Sequence, residues 1–309
     1  MPFTTQPLPC AVKAVIFNDR GELLLQKRDD RPGIMERGLW GYFGGMLEAG
    51  ETAADALRRE LAEELSSSVG EVEGELFRTD HDTYGILNIA YALRCTTPSE
   101  GFFLGEGQEY RWFRADELAS LRLSRLIYRH LSPLFGLLTR SDPTCIDRFE
   151  QALLERLQLR KKSDRVYYAA QTPAAMGLQD MLMLKELANC RGLPVVRVCL
   201  HRDDAEPIHE MLMAHTRPQA VGPLKQNKSS LSYHMLVGAA EIRLHDDSGA
   251  ILSITRLDSD DPSAAQFARL QASTFRTFRT LSPYAVFLEI AGGPFEDQDT
   301  IWMNQGVKP

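Results

Sequence analysis

The sequence lacks the features that mark secreted, membrane-spanning and nucleic-acid-binding chains. Its five cysteines are scattered and form no CxxC pair, so we expect reduced, buried thiols, as in a cytoplasmic protein. The N-terminal segment has no basic region followed by a long apolar run, and no run reaches about 18 apolar residues, so neither a signal peptide nor a transmembrane helix is expected. The net charge of −7 argues against nucleic acid as the main partner.

Heptads, internal repeats and low-complexity tracts are also missing from the sequence. The remaining composition is that of an ordinary globular protein, with 44% hydrophobic and 25% charged residues. A length of 309 residues is long for one domain and comfortable for two. We therefore expect a two-domain protein.

The most distinctive stretch is residues 45–67, GMLEAGETAADALRRELAEELSS. Thr52 with Asp55 three residues later is typical of a capping box, so a helix is predicted to begin near Ala53. At about 100° per residue one narrow face of this helix is apolar, and its members are Ala54, Leu57, Leu61 and Leu65. A neighbouring face carries Glu60, Glu63 and Glu64.

Three carboxylates on one helix face repel one another unless a cation lies among them. Oxygen ligands in this number suit Mg²⁺ or Mn²⁺. The alternative is an acidic, solvated helix face, which the composition of the helix alone would favour. The residues around the helix decide between the two.

Those residues give the stretch a strong resemblance to the Nudix box, whose pattern is G-x5-E-x7-R-E-U-x-E-E-x-G-U with U aliphatic. Seven positions match: Gly45, Glu51, Arg59, Glu60, Leu61, Glu63 and Glu64. Two positions depart, because Ser66 and Ser67 replace the second glycine and the aliphatic residue after it. A left-handed backbone costs non-glycine residues roughly 1 kcal/mol, so the departure should alter the helix exit and no metal ligand.

The resemblance covers about residues 8–140 and implies an α/β Nudix sandwich, a mixed sheet between helices. The pattern along the chain predicts a hairpin of residues 11–17 and 22–27, and a strand at 39–45 before the helix. Further strands are predicted at 71–79, 84–94 and 110–113, and helices from 116 and over 121–138. Residues 1–140 are taken as the first domain.

The resemblance also implies a function, the hydrolysis of a nucleoside diphosphate linked to another group, for example a sugar. Glu60 and Glu64, with Glu63, would bind Mg²⁺ or Mn²⁺, and Glu51 would complete the metal shell. Arg59 would hold a carboxylate in place, and Gly44 and Gly45 would let the backbone approach the metal or the diphosphate.

The identity of the general base stays open, and the candidates are Glu63 and a later glutamate, Glu106 or Glu109. Two other functions stay open as well. One is a nucleotide-sensing module, although such sensors tend to lose carboxylates that are all present here. The other is an isopentenyl-diphosphate isomerase, which needs a catalytic cysteine, and no cysteine is near the box.

Residues 141–165 are predicted to be a connector, and from about residue 166 the pattern changes to short strands. A helix is expected at 181–190 and strands at 194–200, 210–215, 232–237, 239–244, 250–256 and 284–290. The segments RVCLH, HEMLMAH, SYHMLVGAAEIRLHDDSG and SPYAVFLEIAGGPF resemble WbuC-type cupins. That resemblance implies a mainly-β, cupin-like barrel over residues 166–309.

The expected metal ligands of such a cupin are replaced here by Leu224, Gln226, Leu231 and Arg279. Leucine has no donor atom and arginine stays protonated, so the second domain is expected to bind no metal. A site rebuilt from His209, His215 and His234 is the less favoured alternative. The domain would then serve for packing and homodimer formation, or would hold an anionic group near Arg279 and Lys225.

Overall fold

The computed structural model describes residues 9–65, 75–81, 85–95, 102–294 and 296–303. The chain divides into two compact units, unit 1 (Met1–Leu153) and unit 2 (Leu154–Pro309). Each unit has its own sheet structure and its own apolar core. In the described part of the chain, no helix is both long enough and apolar enough to cross a bilayer.

Unit 1 is built on a six-stranded mixed sheet. Its strands are β1 (Cys10–Phe17), β2 (Leu23–Lys27), β3 (Trp40–Gly41), β4 (Glu75–His81), β5 (Leu87–Arg94) and β6 (Glu109–Phe113). The order is β3-β2-β1-β5-β4, and β6 also pairs with β2. The central pair β1 and β5 is parallel, and every other pair in this sheet is antiparallel among the described residues.

Four helices follow or flank this sheet: α1 (Ala53–Leu65), α2 (Ala115–Leu118), α3 (Arg125–Leu138) and α4 (Cys145–Leu157). Helix α1 buries Leu57, Leu61 and Leu65 in a cluster with Val12 and Phe43. Each buried leucine stabilises the fold by about 1.5–3 kcal/mol, so this face fixes the rotation of the helix. The fully buried alanine on this face is Ala56, and the predicted Ala54 is only partly buried.

The predicted hairpin and the predicted start of α1 are both confirmed. The strand predicted at 39–45 is wrong beyond residue 41, because Gly44 takes a φ of +111° and interrupts the extended backbone. Only single bridges continue there, from Ala14 to Phe43 and from Ala11 to Met46. The departures at Ser66 and Ser67, and the start of the strand predicted at 71–79, lie outside the described residues.

Unit 2 contains a seven-stranded and a five-stranded sheet. Their strands are β7 (Leu159–Ser163), β8 (Val166–Ala169), β9 (Val195–Cys199), β10 (Ile208–His215), β11 (Ala220–Gln226), β12 (Leu231–Val237), β13 (Ala239–His245), β14 (Ile251–Asp258), β15 (Phe267–Leu270), β16 (Phe275–Thr280), β17 (Ala285–Gly292) and β18 (Thr300–Trp302). The seven-stranded sheet has the order β15-β12-β17-β10-β9-β8-β7, and the five-stranded sheet has the order β14-β13-β16-β11-β18. Helix α5 (Leu178–Cys190) lies between β8 and β9 in the chain.

The expected closed barrel is not found in the described residues of unit 2. Both sheets are open there, because β7 and β15 end the larger sheet and β14 and β18 end the smaller one. A single bridge from Leu257 to Ala265 extends beyond β14. Unit 2 is therefore a β-rich fold of two sheets, and the likeness to cupins stays a prediction. Residues 141–165, predicted as a connector, contain α4 and β7.

Candidate active site

The turn before α1 brings the backbone of Gly44 against strand β1. Gly44 needs to be glycine, since a Cβ there would overlap the carbonyl oxygen of Val12 and φ is +111°. The amine of Lys13 on β1 donates to the Gly44 carbonyl oxygen at 2.5 Å. A Cβ on the next residue, Gly45, would overlap the carboxylate of Glu60. Gly44 therefore lets the turn pack closely against β1, and Gly45 lets the Glu60 carboxylate approach the backbone.

Glu64 is the buried carboxylate of the helix, with 7% of its surface exposed. Its oxygens accept hydrogen bonds from the Gly44 amide at 2.6 Å and from the Gln26 side-chain amide at 2.7 Å. Burial raises the pKa of Glu64, while the bonds from Gln26 and Gly44 and the charge of Lys13 act in the opposite direction. Glu64 is held rigidly between β2 and the turn.

The other three glutamates of the predicted site gather around one guanidinium. Arg59 contacts Glu51 through Nε at 2.8 Å and through Nη2 at 3.0 Å, and its Nη1 lies 2.8 Å from Glu60 and 3.3 Å from Glu63. Its Nη2 also donates to the Met46 carbonyl oxygen at 3.0 Å. The hydrogen bonds from Arg59 lower the pKa of Glu51 to about 2.

The predicted metal ligands form two groups. Glu64 is held by Gly44 and Gln26, and the other three glutamates are hydrogen-bonded to Arg59. No set of three or more His, Cys, Asp or Glu side chains is gathered at metal-binding geometry in the described ranges. The donor chemistry nevertheless fits a hard divalent cation. Four carboxylates face the two cations Arg59 and Lys13, which leaves two negative charges when all six groups are ionised.

The later glutamates lie on and before β6. Glu109 is exposed and pairs with Lys27 at 3.2 Å. Glu106 is exposed in the preceding loop, next to Gly105, whose amide donates to the Glu64 carbonyl oxygen at 2.7 Å. A Cβ on Gly105 would overlap the carbonyl oxygen of Glu63. The loop that carries Glu106 is therefore fixed against the end of α1.

Sequence reasoning missed two residues that hold this site, Lys13 and Gln26. Lys13 is a lone cation inside the apolar run AVKAVIF, and Gln26 ends the run LLLQ. Burial is the main cause that lowers the pKa of Lys13, and the charge of Arg28 lowers it further. The charges of Glu64 and Glu60 raise it. The available signals were a cation inside an apolar strand, at Lys13, and a buried amide directly after an apolar run, at Gln26.

The residues predicted to replace metal ligands in unit 2 do not lie together. Leu224 and Gln226 line a cavity between the two sheets, whereas Leu231 belongs to the apolar core. Arg279 is half-exposed and pairs with Glu241 at 3.3 Å, so it does not face the cavity. Lys225 lies 3.7 Å from Asp247 and over the Phe275 ring.

The three histidines considered as a rebuilt metal site are also separated. His209 and His215 line the cavity, but His234 packs on Phe267 with ring centroids 4.8 Å apart. His215 bonds to Thr280 at 2.7 Å, and burial lowers its pKa to about 4. His201, which sequence reasoning missed, lines the cavity and stacks on His209.

Comparison with known proteins identifies the first unit. The family model described as NUDIX domain matches residues 7–135. A relative from Salmonella agona, named nucleoside triphosphatase NudI, is 34% identical over 135 residues, which cover 40% of this chain and 94% of that protein. The protein of the same name from Salmonella paratyphi B is also 34% identical over 135 residues, with the same coverage of both chains.

Among solved structures, a MutT structure from a study of Aliivibrio salmonicida and Vibrio cholerae is 23% identical, with a TM-score of 0.31, and the match covers 47% of this chain and 95% of that one. Oxalate decarboxylase from Bacillus subtilis is 19% identical, with a TM-score of 0.28, over 35% of this chain and 27% of that one. Both TM-scores are below 0.5, so we draw nothing from these two likenesses.

Proposed function

This chain belongs to the Nudix family and is a Nudix-type hydrolase, and on that premise we propose that unit 1 cleaves a diphosphate linkage in a small nucleotide with the help of a divalent cation. The observation that carries the proposal is the cluster of four glutamates around Arg59 and Gly44, with its uncompensated negative charge. Such a cluster is costly unless a cation completes it.

Glu60 and Glu64, with Glu63, would hold Mg²⁺ or Mn²⁺, and Glu51 would complete the shell. The cation would neutralise charge on the diphosphate oxygens and activate water, which is most of what this reaction requires. Arg59 keeps Glu51, Glu60 and Glu63 in place by hydrogen bonds to each of them. The Gly44 amide and Gln26 hold Glu64 in a fixed orientation.

For the general base we propose Glu63 or Glu106, with Glu109 third. Glu63 and Glu106 are both exposed, and the loop of Glu106 is fastened to the end of α1 through Gly105. Glu109 is engaged by Lys27 at 3.2 Å, so taking a proton there would weaken an existing ion pair. The three variants E63Q, E106Q and E109Q separate these roles through the acid limb of the pH–rate profile.

The substrate class follows from two sources. The box pattern indicates a nucleoside diphosphate joined to another group, and the two relatives are named nucleoside triphosphatases. A nucleoside triphosphate is itself a nucleoside diphosphate joined to phosphate, so both descriptions fit a substrate with a phosphoanhydride linkage. Nucleoside triphosphates are therefore the first class to test, and nucleotide sugars the second.

The experiment is a substrate panel of nucleoside triphosphates, nucleotide sugars and dinucleotides, assayed with the full chain in Mg²⁺ or Mn²⁺. We expect turnover of at least one nucleotide, and its loss in excess chelator. Turnover that persists in chelator would refute the metal dependence. Nucleotide binding without turnover on any substrate would instead favour the sensing module.

A further inference from the structure

Unit 2 contains a cavity of about 350 Å³ between its two sheets, for which the Nudix chemistry has no use. Arg276 and Gln226 reach it from the five-stranded sheet, and Arg197, His209 and Glu289 from the seven-stranded sheet. Pockets for small molecules span about 300–1,000 Å³, so this one suits a small ligand.

The cavity contains a buried guanidinium with unused donors. Arg276 has 6% of its surface exposed, and its Nε donates to the Tyr233 hydroxyl at 3.3 Å. A guanidinium has five N–H donors, and among the described residues this is the single side-chain hydrogen bond of Arg276. A buried cation in this state is costly unless an anion reaches it.

A second guanidinium, that of Arg197, also lines the cavity. Its Nη1 lies 4.0 Å from the Met211 sulfur. Among the described residues neither Arg197 nor Arg276 forms an ion pair within 4.0 Å, although the charges of both act on the buried carboxyl of Glu289. Lys162 and Asp204 neutralise each other at 2.9 Å. Burial raises the pKa of Glu289, while the charges of Arg276 and Arg197 act in the opposite direction. Even with Glu289 counted as ionised, the two arginines leave the cavity with at least one net positive charge, which suits a ligand that carries a carboxylate.

Two polar atoms of residues that line the cavity have no hydrogen-bond partner in the part of the chain that the structure describes. They are Nε2 of His209 and Oε1 of Gln226, and both residues line the cavity. His209 has 5% of its surface exposed, so water does not satisfy it from outside. Since most buried polar groups in proteins are paired, two unpaired atoms on one cavity indicate that something is to be bound there.

The rest of the wall is apolar, with Met213, Phe278 and Phe287 among its members. A metal ion does not explain the cavity, because no cluster of three or more His, Cys, Asp or Glu side chains with metal-binding geometry exists in the described chain. A carboxylate matches guanidinium in planar, two-bond geometry. The apolar wall matches an organic body better than a hydrated inorganic anion.

We propose that this cavity binds a small organic monocarboxylate, with its carboxylate on Arg276 and Arg197 and its polar substituents on Gln226 and His209. The body of the ligand then contacts the apolar wall. This site belongs to unit 2 and does not depend on the hydrolase proposal, because no residue of the Nudix box takes part in it.

The test is calorimetric titration of the full chain with acetate, lactate, 3-hydroxybutyrate and benzoate, and with the amide of each acid. Inorganic phosphate is a further probe. We expect at least one carboxylate to bind once per chain and its amide to bind at least about tenfold more weakly, because the charge-assisted bonds are lost.

The matched pair of variants is R276Q and R279Q. Both arginines lie on β16, but Arg276 lines the cavity and Arg279 pairs with Glu241. R276Q should weaken the carboxylate about tenfold or more, and R279Q should leave its affinity unchanged. If R276Q does not fold, R197Q carries the test, because Arg197 is exposed and its loss leaves no buried gap.

Four results would overturn the proposal. One is that no carboxylate of the panel binds. Another is that acid and amide bind equally, or that the cavity variants bind as tightly as R279Q. The last is that phosphate alone binds, which would make this a site for inorganic anions.

Discussion

Arg59 and Glu51 form a two-bond ion pair across eight residues, with Nε to Oε1 at 2.8 Å and Nη2 to Oε2 at 3.0 Å. This pair ties the segment before α1 to the second turn of the helix. It also places the guanidinium where Glu60 and Glu63 reach it. The geometry of the glutamate cluster therefore depends on Arg59 as much as on the helix.

The first prediction is a pH-dependent stability difference between the native chain and E51Q. Arg59 lowers the pKa of Glu51 from 4.5 to about 2, so the stabilisation from ionised Glu51 is complete above pH 4.5 and is lost as the pH falls towards 2. The Tm of E51Q should therefore be below that of the native chain at pH 6, and the gap should close as the pH falls from about 5 to about 2.

The control for this experiment is E48Q, which removes the same charge from an exposed position three residues earlier. Its Tm should follow that of the native chain across the pH range. A Tm difference between E51Q and the native chain that stays constant with pH would contradict the assigned role of the ion pair.

The second prediction separates structural from chemical roles of two adjacent glutamates. E64Q places an amide donor against the Gly44 amide or Gln26, so the free energy of unfolding should fall by about 1–3 kcal/mol. E63Q changes an exposed side chain, so stability should stay within about 0.5 kcal/mol. Both variants should lose roughly a hundredfold or more in kcat.

Urea unfolding and steady-state kinetics on the best substrate check this prediction. Full activity of E64Q would remove Glu64 from the metal shell. Equal destabilisation by both variants would show that the burial of Glu64 is not what anchors it.

The third prediction concerns the loop that carries Glu106. In G105A the new methyl group overlaps the Glu63 carbonyl oxygen, so the loop must move away from α1. We expect a loss of about 1–3 kcal/mol in stability and a lower kcat/KM. The matched control is G136A in α3, where the methyl group meets nothing within 4 Å and should stabilise the helix by about 0.5–1 kcal/mol. Unchanged kinetics in G105A would exclude a role for this loop in turnover.

The fourth prediction concerns independent folding of unit 1. Phe149 is fully buried, and its ring centroid lies 4.8 Å from that of Phe135. A fragment of residues 1–157 keeps this contact and helix α4, so it should fold and retain metal-dependent activity. A fragment of residues 1–140 loses Phe149 and exposes Phe135, so it should be less stable by about 3 kcal/mol or more.

Thermal unfolding and the substrate assay compare the two fragments with the full chain. Equal stability of both fragments would show that α4 does not belong to the first folding unit. A folded but inactive 1–157 fragment would show that unit 2 contributes to catalysis.

In unit 1 the sequence could predict the features that depend on interactions between residues close together in the chain. Thr52, Asp55 and the spacing of the leucines fix the helix by interactions within one or two turns, and α1 begins where they predict. Lys13 and Gln26 could not be assigned in this way. Each reaches the site from a strand, and only sheet register decides which strand residues face Gly44 and Glu64.

In unit 2 the sequence indicated strand β16 but could not show which of its side chains face the cavity. Arg279 was named with Lys225 as a residue that would hold an anionic group, and this stays a prediction. Side chains alternate along β16, and Arg276 and Phe278 face the cavity, whereas Arg279 does not line it. An error of one residue in the alignment moves every side chain to the opposite face. Similarly, His201 and His209 form a stacked pair across β9 and β10 that only the fold brings together.

The parallel pairing of β1 with β5 has a consequence for synthesis of the chain. Cys10 pairs with Leu87, so the central strand of unit 1 has to wait for a partner that is 77 residues away. At roughly 5–20 residues per second, translation takes about 4–15 s to supply it. During that interval Val12, Val15 and Ile16, all fully buried at the end of folding, have no parallel neighbour to cover them. The nascent chain is therefore open to misassembly at β1 until residue 94 has left the ribosome.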